Sequence, residues 1–202
     1  MPKATFFNLP EEKRERILKA ALEEFSLSDY DKATIDNITK RASIPKGSFY
    51  QYFTHKDDLY EYAFNRIGDS KAQMIEELIS EVDTIEFKDY VYRMILQGAR
   101  YEARMKEYSG LRGKFLNQCP QDLRKRILKN EIPKSYRLLE EAMKAYIEKG
   151  EILKDADIKT AAYMITSCVI NLEFFAEYEP KNTQEIIAKM IHIVTKGIGR
   201  IQ

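Results

Sequence analysis

Between Thr34 and Lys56 the chain gathers side chains suited to holding a polyanion and reading the edge of a base. Lys46, Gly47, Ser48, Tyr50, Gln51 and Tyr52 sit in one short stretch after Pro45, with His55 and Lys56 just beyond. Lysine ammonium groups neutralise phosphates, and the hydroxyls of Ser48, Tyr50 and Tyr52 can donate to phosphate oxygens. Gln51 can pair two atoms of an adenine edge in a DNA major groove. Gly47 has no side chain to hold the backbone away from a duplex. Lys56 opens the next helix, where the helix dipole favours an anion. His55 suits a phosphate contact and a plain surface position equally. Thr34, just ahead, completes the candidate DNA contacts. Residues 32–56 hold Lys32, Lys40, Arg41, Lys46 and Lys56 against Asp36 alone, in a chain of 202 residues whose net charge is only +1.

Two short helices must position this set. Thr34 is a good N-cap, and Ile35, Ile38 and Ala42 keep helical spacing up to Ser43-Ile44-Pro45, where the residue before proline avoids the α region. A second helix starts at Pro45 or Lys46 and ends near Phe53. Ile35, Ile38, Ala42, Ile44, Phe49 and Phe53 can face one small core, leaving Lys46, Gly47, Ser48, Tyr50, Gln51 and Tyr52 outward. Such a pair fits a helix-turn-helix over about residues 33–53. An ordinary helical hairpin with a solvated basic face is the plainer alternative.

The rest is helical as well. Ile17, Leu18, Ala21, Leu22 and Phe25 build a stripe from about Pro10 to Ser26. A long helix from Lys56 could reach Val82, with Leu59, Ala63 and Ile67 in one row. Asp83 with Glu86 resembles a capping box for a helix to about Glu107. Gly110 and Gly113 break the pattern, Pro120 and Pro133 each restart it, and Gly150 ends it. Asp155 or Asp157 opens a strongly apolar helix to Tyr178, and Asn182 or Thr183 starts the last one. The expectation is an all-α protein of about nine helices. Its 44% hydrophobic residues can form a core, while eight glycines and six prolines are too few for the turns of an all-β fold.

Several functional classes find no support. Cys119 and Cys168 lie far apart without ligand spacing, and His55 and His192 form no metal pair, so no metal or cofactor is expected. His192 reads as a core or half-exposed histidine. Gly110-Leu-Arg-Gly113-Lys114 is too short for a P-loop, and there is no nucleophile elbow, so an enzyme with catalytic residues is not expected. Neither a signal peptide nor a bilayer-spanning run is visible, which points to a cytoplasmic protein without a membrane partner.

The segment ILKAALEEFSLSDYDKATIDNITKRASIPKGSFYQYFTHKDDLY resembles the DNA-binding head of the tetracycline-repressor (TetR/AcrR) family. The likeness rests on the first-helix pattern, the Thr-Ile start of the second, Lys-Gly-Ser-Phe-Tyr-x-Tyr-Phe in the third, and Lys56-x-x-Leu59. Gly150-Glu151-Ile152, followed by Asp155, Asp157, Ala161 and Ala162, is similar to the family's entry into its penultimate helix. Ser43 stands where a turn glycine is frequent, and Pro45 where serine or threonine often caps the recognition helix. The resemblance implies a three-helix head (residues 1–55) and a helical effector-binding and dimerisation body (56–202). It further implies a ligand-responsive repressor that holds operator DNA as a homodimer and is released by a small-molecule inducer.

Two features of the body agree with that expectation. Ile158 to Phe175 is apolar around most of its circumference, and the last helix adds a second face. Met164, Cys168, Leu172, Ile187, Met190, Ile191 and Val194 are therefore candidates for a C2 four-helix interface. Intrachain core is the alternative for the same residues. Tyr92, Met105, Tyr108, Phe115 and Met143 could line an adaptable pocket for a largely apolar effector, though each alone also suits plain core or surface.

Overall fold

The described chain buries its apolar stripes in two separate cores. The computed structural model describes residues 1–104, 110–172, 175 and 182–198. Among the described residues all regular elements are helical, with ten α-helices and no strand. They are α1 (Ala4–Phe7), α2 (Glu11–Leu27), α3 (Ile35–Arg41), α4 (Lys46–Tyr52), α5 (Lys56–Glu77), α6 (Phe87–Arg104), α7 (Leu111–Gln118), α8 (Gln121–Lys149), α9 (Ile158–Ile170) and α10 (Thr183–Ile198). A 3₁₀ turn, Leu78–Glu81, prolongs α5. No described helix is long and apolar enough to cross a membrane.

The first compact unit comprises Met1–Ser70 with Tyr101–Glu131. Its core joins Ile17, Leu18, Ala21, Leu22 and Phe25 of α2 to Ile38, Phe49, Phe53, Leu59, Tyr60 and Ala63. Leu111 and Phe115 of α7, and Leu123 and Ile127 of α8, complete it. Two carboxylates are buried here, and both are paired. Glu24, 1% exposed, accepts from Asn37 Nδ2 at 2.8 Å and lies 3.4 Å from Arg41 Nε. Glu61, 4% exposed, accepts from Arg126 Nε at 2.7 Å and Asn130 Nδ2 at 3.2 Å. A buried charge left without such partners would cost several kcal/mol. Each therefore fixes the helix that carries its partner.

The second unit comprises Lys71–Arg100 with Ile132–Gln202. Tyr90, Val91, Met94 and Ile95 of α6 pack with Leu139, Ala142, Met143 and Tyr146 of α8, Ala161, Ala162 and Ile165 of α9, and Ile187, Ile191 and Val194 of α10. Gly150, at φ +85°, closes α8 in a conformation that suits glycine. Asp157 caps α9 by accepting from Thr160 N at 3.0 Å.

Two boundary expectations are corrected. Pro133 does not restart a helix but lies inside α8, which runs unbroken for 29 residues. Proline removes one backbone donor, yet Leu123 and Ile127 anchor the helix before it and Leu139, Met143 and Tyr146 anchor it after. Asp83 and Glu86 do not form the expected box. The α6 amide of Phe87 instead donates to Glu151 Oε2 at 2.8 Å, and Lys149 Nζ holds the preceding carbonyls of Val82 (2.9 Å) and Ile85 (2.7 Å). Gly150-Glu151-Ile152 thus ties the end of α8 to the start of α6.

Candidate nucleic-acid interface

Helix α3 is held at both ends. The Thr34 hydroxyl accepts from Asn37 N at 3.2 Å, and Arg16 Nε of α2 donates to the Ala42 carbonyl at 2.9 Å. Ser43 then turns the chain with φ +52°. Ile44 N returns to Thr39 O at 3.0 Å. Pro45 occupies the N-cap of α4 with extended ψ and no side-chain cap bond. Phe49, fully buried beside Ile38 and Ala42, seats α4 on the core.

That seating leaves Lys46, Gly47, Tyr50 and Gln51 exposed and Ser48 half-buried. A Cβ added at Gly47 would meet nothing within 4 Å, so the backbone there is open to a close approach. Lys46 Nζ lies 2.6 Å from Asp36, a solvent-facing pair that ties the start of α4 to α3. Lys40 is exposed on α3, and its ammonium has no partner among the described residues. Exposed aromatic hydroxyl, amide and lysine groups around a bare glycine can follow phosphates and enter a groove.

The sequence profile of the bacterial regulatory proteins of the tetR family matches residues 17–63, the stretch that builds this surface. The uncharacterized HTH-type transcriptional regulator YdgC of Bacillus subtilis is 24% identical over 190 residues, covering 93% of each chain. A TetR family transcriptional regulator from Chloroflexus aurantiacus is 28% identical across the whole of both chains, with a TM-score of 0.59. The chain carries a TetR-family DNA-binding head. It is a transcriptional regulator with a DNA-binding helix-turn-helix. The crystal structure of FadR from Bacillus subtilis in complex with stearoyl-CoA shares the fold, with a TM-score of 0.68 at 19% identity over 91% of this chain and 98% of that one.

In this TetR-family head, two of the expected DNA-contacting groups are turned inward. Tyr52 is only 6% exposed, because α1 covers it and the Phe6 ring lies 6.2 Å away. Lys56 Nζ donates to the carbonyls of Tyr30 (2.5 Å) and Ala33 (2.9 Å) and sits 4.2 Å over the Tyr30 ring. Burial pushes its pKa down. Nor does the start of α5 await an external anion, since Asp58 Oδ2 accepts from Thr54 N at 3.0 Å and His55 N at 3.1 Å. His55 itself is exposed.

The pocket candidates separate. Met143 and Tyr92 share the second core, Phe115 lies in the first against Phe64 (4.4 Å between rings), and Met105 and Tyr108 lie outside the described residues. Of the interface candidates, Ile187, Ile191 and Val194 are buried in the second core of the protomer itself, a correction set by the packing of α10 on α9. Leu172 and Met190 are half-buried, and Met164 and Cys168 are exposed. The sequence pattern had not singled out Tyr163 or Ile193, which stand outward on the same two helices. Lys40 is the corresponding omission on the head.

Proposed function

We propose that the chain is a homodimeric, ligand-responsive repressor that lays α4 in the major groove of a palindromic operator. The observation that carries this reading is the exposed row Lys46, Gly47, Tyr50 and Gln51, with open space at Gly47. Lys46, Lys40 and the hydroxyls of Ser48 and Tyr50 hold phosphates, Gln51 reads a base edge, and Thr34 and His55 flank them. Residues 1–55 form the reading head, and residues 56–202 provide dimerisation and effector binding. Tyr163, Met164, Cys168 and Ile193 form the outer apolar face of α9 and α10 that a second copy covers. A C2 dimer then addresses half-sites roughly one helical turn, ~34–36 Å, apart. The effector is a small, largely apolar molecule. The shared fold of FadR, solved in complex with stearoyl-CoA, supports ligand binding by this fold, and the stearoyl group of that ligand is apolar. Tyr92 and Met143 of the second core are the described candidates for touching it.

Base reading is tested with a duplex enriched by the wild-type chain from a random-sequence pool. Gln51→Ala should weaken binding to that duplex by about 1–3 kcal/mol for each base pair read, while sparing random DNA. Equal losses on both would leave Gln51 as a backbone contact only. No enrichment by the wild-type chain would overturn the DNA-reading proposal itself.

A further inference from the structure

Helix α4 has seven residues, so its last four carbonyls lie past the reach of its own backbone donors. The Phe49 carbonyl is taken by Phe53 N at 2.8 Å. The next three have no helical partner, and the first five residues of the chain satisfy all of them. Lys3 Nζ donates to the Tyr50 carbonyl at 2.7 Å, the Thr5 hydroxyl donates to that of Gln51, and Lys3 N donates to that of Tyr52 at 2.7 Å. Phe6 anchors this strap from below. It is fully buried, with its ring centroid 4.9 Å from Phe53 and 5.1 Å from Tyr62.

We infer that Lys3, Thr5 and Phe6 are positioning residues for base recognition: they cap the C-terminal turn of α4 from outside and so fix the aim of Tyr50 and Gln51. The carbonyls held by the Lys3 and Thr5 side chains belong to the same two residues whose own side chains stand exposed on the proposed reading face. The Lys3 ammonium also lies at the negative end of the helix dipole, where a cation is favoured. A frayed last turn would let Gln51 move relative to the groove while the phosphate-binding lysines of α3 and the first turn of α4 kept their places. Specificity would fall before affinity.

This inference rests on the DNA-reading proposal, and its test separates the two. Lys3→Met keeps the stem and removes the charged donor, Thr5→Val removes the hydroxyl at nearly constant shape, and Lys3→Arg restores a donor. In the free, full-length protein the Lys3→Met/Thr5→Val pair should raise amide exchange at Tyr52 and Phe53 about tenfold, with exchange in α2 unchanged. On the enriched duplex the preference over random DNA should fall about tenfold, random-DNA affinity should hold, and Lys3→Arg should keep the wild-type ratio. Unchanged amide exchange in α4 overturns the cap whatever the DNA result. Equal loss on both DNAs, with a flatter salt dependence, would make Lys3 a phosphate contact instead. If the wild-type chain enriches no duplex, the exchange measurement still decides whether the strap holds α4.

Discussion

The two lysines that flank the recognition helix, Lys40 and Lys56, differ in what their ammonium groups touch. Lys56 bridges two carbonyls of the α2–α3 loop, whereas Lys40 faces solvent with no partner among the described residues. Lys56→Met would leave the Tyr30 and Ala33 carbonyls without their donor, at a cost of about 1–3 kcal/mol. At ~2–4 °C per kcal/mol for a chain of this size, the melting temperature should fall by several degrees. The salt slope of DNA binding should stay the same. Lys40→Met should do the reverse, keeping the melting temperature and flattening the slope of log K against log salt by about one. A native melting temperature with a flattened slope for Lys56→Met would return Lys56 to the phosphate contacts. Residue type alone does not separate these roles. The partners of Lys56 lie 26 and 23 positions away in the chain, beyond anything helical spacing records.

At the scale of the element, the turn between α3 and α4 carries local strain. Ser43 adopts φ +52°, in the left-handed region that costs a residue with a side chain about 1–2 kcal/mol. Its side chain is exposed, so Ser43→Gly loses no packing. The substitution should stabilise the protein by about 1 kcal/mol and raise the melting temperature by ~2–4 °C. A lowered midpoint in a thermal scan would show that the hydroxyl contributes more than the backbone loses. This turn was legible in the sequence because Ser43 holds a place where glycine is frequent and Ile38, Ala42 and Phe49 set the core spacing around it. The strap on α4 and the Glu151 cap on α6 were not legible. Their bonds span 46 and 64 positions, and neither Thr5 nor Glu151 announces its partner by type or spacing. Pro133 misled for a related reason: packing on both sides of it outweighs the local cost of a missing donor.

For the whole molecule, burial decides which substitutions test the proposed dimer. Ile187→Asp would place a carboxylate in the core of the protomer and should cost several kcal/mol, melting the second unit at any concentration. Met164→Asp with Ile193→Asp changes only side chains that stand outward, Ile193 being 66% exposed. Sedimentation should then show folded monomers with near-native circular dichroism. Cys168, exposed in the protomer, should react with iodoacetamide faster in that variant than in the wild-type chain, where the proposed second copy covers it. Cys119 should stay unreactive in both, since burial pushes its thiol up to about 11. A dimer that survives both aspartates would move the interface off α9 and α10.

The first core draws on chain that is made late. Leu111, Phe115, Leu123 and Ile127 complete the core that α2 to α5 begin. On a ribosome adding ~5–20 residues per second, roughly 3–12 s separate the synthesis of Ser70 from that of Glu131. Through that interval the nascent head exposes the apolar faces of α2 and α5 that α7 and α8 will cover. It is during those seconds, rather than in the finished protein, that this segment is most open to chaperones, proteases and aggregation.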